Sequence, residues 1–95
     1  MASTFNLHEG MTYEAMSAIL DGMSCGSFLF RRSASKPGWL VVGFVNAQGA
    51  VRQVQIEVAP DGMLRPLGGE ERFPSLHAFV EHYANALKNY VAWLT

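Results

Sequence analysis

Gly26-Ser27-Phe28-Leu29-Phe30-Arg31-Arg32-Ser33 is the stretch that decides how this chain folds. Ser27 to Arg32 is rich in aromatic and aliphatic residues and too short for a helix. It is bounded by Gly26 on one side and by the polar run Ser33-Ala34-Ser35-Lys36-Pro37-Gly38 on the other, which is the pattern of a strand. Alternation puts Leu29 and Arg31 on one face and Phe28, Phe30 and Arg32 on the other. Apolar residues on both faces make this a central strand. An arginine in such a strand is anomalous, because a buried guanidinium without a partner is strongly unfavourable. Arg31 needs an anion, either a carboxylate of its own chain or one from outside. The loop that follows favours the second source. Its small hydroxyl residues and glycine have backbone amides that can form a nest for phosphate oxygens, and Ser33 and Ser35 add hydroxyl donors. A planar guanidinium suits phosphate because it donates two parallel hydrogen bonds, and Lys36 supplies a further, more mobile charge.

Upstream, Thr12 can cap a helix from about 12 to 21 in which Met16, Ile19 and Leu20 repeat at helical spacing; Glu14 lies near the positive end of its dipole. Asp21 to Gly26 is the break before the strand. Downstream, Trp39 to Val45 predicts a second strand and Asn46-Ala47-Gln48-Gly49 a turn. A third strand is predicted from Ala50 to Val58, and a short one from Met63 to Leu67 after Pro60-Asp61-Gly62, giving an antiparallel meander. Pro74 suits the first turn of a second helix, in which Leu76, Phe79, Val80 and Tyr83 form a buried stripe opposite His77 and Glu81. The expected fold is α+β: a central antiparallel sheet flanked by two helices, one on each face.

The 95 residues suffice for one domain, 1–95, and 49% of them are apolar against 16% charged, the composition of a globular chain. A net charge of −1 offers no global attraction to nucleic acid or an anionic membrane, so an anion site must come from local placement. Such placement exists, since from Gly22 to Ile56 there is no Asp or Glu while Arg31, Arg32, Lys36 and Arg52 all fall there. Cys25 is the sole cysteine, which excludes an internal disulfide and favours a reducing compartment, the cytoplasm. Neither a signal segment nor a membrane span is expected. His8, His77 and His82 lack metal-ligand spacing and are read as surface or core residues.

Gly26-Ser27-Phe28-Leu29-Phe30-Arg31-Arg32-Ser33 resembles the Gly-Thr-Phe-Leu-Val-Arg-Glu-Ser signature of Src homology 2 domains. Phe73-Pro74-Ser75-Leu76-His77-Ala78-Phe79-Val80-Glu81-His82-Tyr83 resembles the second helix of the same family, about forty residues on. The resemblance implies phosphotyrosine recognition, with a pocket between the first helix and the strand face bearing Arg31, closed above by the loop from Ser33 to Gly38. Many members place an arginine early in the first helix, where this chain has Tyr13. The Cbl-type variant carries a tyrosine in a similar Thr-Tyr context, so Tyr13 either donates its hydroxyl to phosphate or joins the Met16 and Leu20 stripe as core. Gln53 stands where the family often has a histidine beside the phosphotyrosine ring, with Gln55 on the same face. Val54 falls where a side chain helps choose the residues after phosphotyrosine, and an apolar residue there favours apolar ligand positions. The family's N-terminal tryptophan is absent, with Phe5 the nearest substitute.

The expectation is therefore a monomeric, non-catalytic module with no cofactor or metal. Its partner would be a tyrosine-phosphorylated protein or peptide, and it would act in signalling, as an adaptor, or as a competitor for phosphotyrosine sites; were it a bacterial effector, its compartment would be the host cytoplasm. The expected phosphotyrosine contacts are Arg31, Ser33, Ser35, Lys36, Tyr13 and Gln53, with Val54 and Gln55 as peptide contacts. Two other readings compete. Cys25 and Arg31 satisfy the Cys-x5-Arg spacing of tyrosine phosphatases, but the residues between them read as extended strand, which would hold the ends about 20 Å apart. Cys25 is then a small, partly buried residue. A sheet with aromatic residues and local basic charge can also stack single-stranded nucleic acid, but helices on both faces leave no open platform, and Trp39, Phe44 and Trp93 read as core.

Overall fold

The structure, a computed structural model, describes residues 7–8 and 10–90. Phe5 and Trp93 lie outside the described residues. The elements are β1 (Leu7–His8), α1 (Tyr13–Leu20), β2 (Ser27–Arg32), β3 (Leu40–Val45), β4 (Val51–Val58), β5 (Leu64–Pro66), α2 (Leu76–His82) and β6 (Asn89–Tyr90).

Thr12 caps α1 as its sequence position predicts, its hydroxyl accepting from the Ala15 N–H at 3.0 Å and so satisfying one of the otherwise orphaned donors of the first turn. In α2 the cap is Ser75, which accepts from the Ala78 N–H at 3.1 Å. Pro74 thus precedes the helix instead of opening it. A hydroxyl one residue later satisfies a first-turn amide, which proline has no means of doing.

Strands β2 to β5 form the expected antiparallel meander. The sheet is mixed, because β1 and β6 both run parallel to β2. Both of these strands have two residues, too few for alternation to mark them in the sequence.

Alternation along β2 divides the core into two layers. Phe28 and Phe30 face α2, where they pack with Val42, Ile56, Phe73 and Phe79; the rings of Phe73 and Phe79 meet edge to face with centroids 5.5 Å apart. Leu29 faces α1 and packs with Met16, Leu20, Val41 and Val45. Burying each large apolar side chain contributes about 1.5–3 kcal/mol, so two filled faces explain why β2 is apolar on both sides. Among the described residues no helix is long and apolar enough to cross a membrane.

Candidate functional site

Arg31 sits on the α1 face of β2 and is 6% exposed. Cross-strand register sets it level with Val41 of β3 and Gln55 of β4, while Leu29, Gly43 and Gln53 form the next row. A pocket of about 380 Å³ opens between the start of α1 and the loop after β2, lined by Thr12, Tyr13, Glu14, Arg31, Ser33, Ala34, Ser35 and Gln55.

The partners of the guanidinium are neutral. Arg31 Nε and Nη2 donate to Gln53 Oε1 at 3.2 and 3.0 Å, and Nη1 donates to the Arg32 carbonyl at 3.3 Å. Among the described residues no carboxylate forms a salt bridge with it. Burial lowers its pKa from the usual arginine value, while Glu14 and then Tyr13 pull the other way. Arginine nevertheless stays protonated in proteins. The site therefore holds a buried cation with no opposite charge at contact distance among the described residues, beside a polar opening.

The loop after β2 closes on itself. Ser33 N–H donates to the Trp39 carbonyl at 3.0 Å, and Ser33 Oγ accepts from the Lys36 N–H at 3.1 Å, leaving the Ser33 hydroxyl proton to be donated. Ser35 lies on the pocket wall and is exposed. Lys36 does not line the pocket: its ammonium stands over the Trp39 ring, 5.0 Å from the centroid, a cation–π contact. Tyr13 is 58% exposed and forms part of the wall, which settles its placement against the core stripe.

Gln53 reaches from β4 to both Arg31 and α1, its Nε2 donating to the Tyr13 carbonyl and Ser17 Oγ, each at 2.9 Å. Gln55 lines the pocket, and its Oε1 is buried without a hydrogen-bond partner among the described residues. Val54 points to the opposite face, where a second pocket of about 190 Å³ is lined by Val42, Phe44, Val54, Pro66, Phe79, Tyr83, Ala86 and Leu87. This pocket is almost wholly apolar.

Sequence reasoning passed over Glu14 as a pocket residue, treating it only as a charge at the helix start. Its place directly after Tyr13 in the first turn was the available signal. Ser17, one turn further along α1, had no distinguishing mark. Cys25 is exposed, not partly buried. Gly26 leads straight into the extended β2, so no curled loop brings Cys25 to face Arg31. Phe44 is half-buried against the α2-side core and Trp39 is half-buried beneath Lys36.

Residues 8–83 match the family model of the SH2 domain. Solved structures agree: the chain is similar to the SH2 domain of the Monosiga brevicollis CRK/CRKL homolog, determined in solution, with a TM-score of 0.79 and 25% identity over 94% of this chain and 88% of that one. No curated protein is matched. With the helix–sheet–helix order in place and the family model spanning most of the chain, the protein belongs to the SH2 domain family, whose members recognise phosphotyrosine peptides.

Proposed function

We propose that this domain is a non-catalytic module that binds a tyrosine-phosphorylated protein or peptide in the pocket around Arg31. The observation that carries the reading is a buried guanidinium without a carboxylate partner among the described residues, at the base of an opening walled by hydroxyls. Arg31 grips two phosphate oxygens, Ser33 and Ser35 donate hydroxyl protons, and Tyr13 closes the side of the pocket with its phenol. Lys36 adds charge from outside the wall, moving off Trp39 when a ligand is present. Gln55 packs its aliphatic stem against the ligand ring.

Ligand residues after phosphotyrosine cross β4 to the apolar pocket at Val54, so apolar side chains are favoured there. The module acts as a monomer in a reducing compartment, as an adaptor in signalling or as a competitor for phosphotyrosine sites. Truncating Arg31 should cost about 2–5 kcal/mol, the range for breaking a buried charged pair, which is roughly thirtyfold or more in affinity. Titration of a phosphotyrosine peptide into the wild type and Arg31→Ala tests this, and a loss below about threefold contradicts it.

A further inference from the structure

The Gln53 carboxamide has two N–H groups and two lone pairs to offer, and the structure accounts for all four. Oε1 accepts from Arg31 Nε and Nη2, and Nε2 donates to the Tyr13 carbonyl and Ser17 Oγ. The network fixes the amide orientation, because the flipped amide would set NH2 against guanidinium donors and its oxygen against a carbonyl. No donor remains on Gln53 for a phosphate oxygen.

Arg31 shows the complementary count. A guanidinium has five N–H groups; Nε, one on Nη2 and one on Nη1 are engaged among the described residues. One N–H on each terminal nitrogen is left, and that pair is the fork that grips two oxygens of one anion.

We infer that Gln53 is a positioning residue: it holds the Nε edge of Arg31 and ties it to α1, so that the terminal edge of the guanidinium is presented to phosphate, and it makes no contact with the ligand itself. The inference rests on the reading of the pocket as a phosphate site. A neutral amide suits the task better than a carboxylate, which would also hold the Nε edge but cancel the charge the phosphate needs. Side-chain freedom surrendered to Gln53 in the free protein is not surrendered again on binding. The same amide makes the first turn of α1, which carries Tyr13 and Glu14, move with Arg31 as one unit.

The test uses phenyl phosphate and a phosphotyrosine peptide as probes, with two readouts: affinity by calorimetry, and the Arg31 Nε–H resonance, whose slow exchange reports the contact with Gln53 whether or not a ligand binds. Gln53→Met keeps the volume and removes every hydrogen bond; it should weaken both probes about tenfold or more, the usual scale for hydrogen bonds to a charged group, and release the Nε–H to solvent exchange. In an Arg31→Ala background the same substitution should change affinity by less than about twofold, as expected of residues that act as a unit. Gln53→His, with one donor and one acceptor in the neutral ring, should restore much of the loss. Gln53→Glu should keep the Nε–H protected yet bind both probes more weakly than wild type, a comparison that decides the matter even if the methionine variant does not fold.

Gln53→Met binding within about twofold of wild type, or losses at Gln53 and Arg31 that simply multiply, would overturn the inference, the second by placing Gln53 on the ligand independently. A wild type that binds neither probe overturns the phosphate reading of the pocket and, with it, the presentation role. A protected Nε–H in that protein would show that the Gln53 clamp itself forms, which separates the two failures.

Discussion

Gly43 lies directly beneath Met16: a Cβ added at Gly43 would stand 2.5 Å from Met16 Sδ and 3.0 Å from Leu20 Cδ1. The absence of a side chain at this point of β3 sets how closely α1 approaches the sheet. It also leaves room in the row between Leu29 and Gln53, so Gln53 can reach both Arg31 and the helix. Gly43→Ala should destabilise the fold by about 1–3 kcal/mol, the scale of overpacking. Because α1 must lift, phosphotyrosine affinity should fall as well. Denaturant unfolding and peptide titration on the same sample check both, and a variant of unchanged stability would mean that Met16 swings aside freely.

The wall opposite Arg31 carries an acidic residue. Glu14 faces the same pocket as the phosphate would, and its negative charge favours the Arg31 cation, opposing the effect of burial. Glu14→Gln should raise affinity for a phosphotyrosine peptide about two- to fivefold at low salt, the range for an exposed charge interaction, with the gain shrinking as salt is added. Tyr13→Arg should raise it further, by about tenfold, through a charge-assisted hydrogen bond. Calorimetry at two salt concentrations tests both substitutions, and an affinity that drops in Glu14→Gln would show that the carboxylate holds the pocket open.

The dependence on pH follows from the ligand's titration more than from the protein's. Burial lowers the Arg31 pKa, so for the free protein the buried cation costs stability until pH rises through that pKa, far above neutral. A bound anion favours the cation and pushes this limb higher still. The phosphate loses its second charge as pH falls through about 6, so affinity should be flat from about pH 7 to 9 and decline below about 6. An affinity that instead rises on acidification would mean that the pocket prefers the monoanion.

Cys25→Ser should leave peptide affinity unchanged, since Cys25 is exposed and precedes the strand that carries Arg31. Hydrolysis of phosphotyrosine by the wild type, abolished in Cys25→Ser, would revive the enzyme reading. A colorimetric phosphate-release assay is sufficient.

The strands were legible because their signals are local. The bounds of β2 read from sequence coincide with Ser27–Arg32, and those of β3 and β4 are each off by a single residue at the start. The two-residue strands β1 and β6 were not legible, since two residues are too few to carry an alternation and their pairing with β2 is a long-range contact. At the site, Arg31 announced itself as a charge out of place, and the hydroxyl loop beside it pointed toward an anion from outside the chain. The distribution of labour around it was hidden. Whether a glutamine side chain touches a ligand or holds an arginine depends on which row of the sheet it occupies and on what lies across from it, here Gly43 and Ser17. Lys36 illustrates the same limit: its proximity in sequence suggests charge for a phosphate but not that its ammonium rests over the ring of Trp39, three residues on.

The most direct test of the central claim is calorimetric titration of the wild type and Arg31→Ala with a phosphotyrosine peptide, its unphosphorylated twin and a phosphoserine version. Binding to the phosphotyrosine peptide alone, weakened about thirtyfold or more in Arg31→Ala, is the predicted result. Equal affinity for the three peptides, or binding that survives the loss of Arg31 in a folded protein, would contradict it.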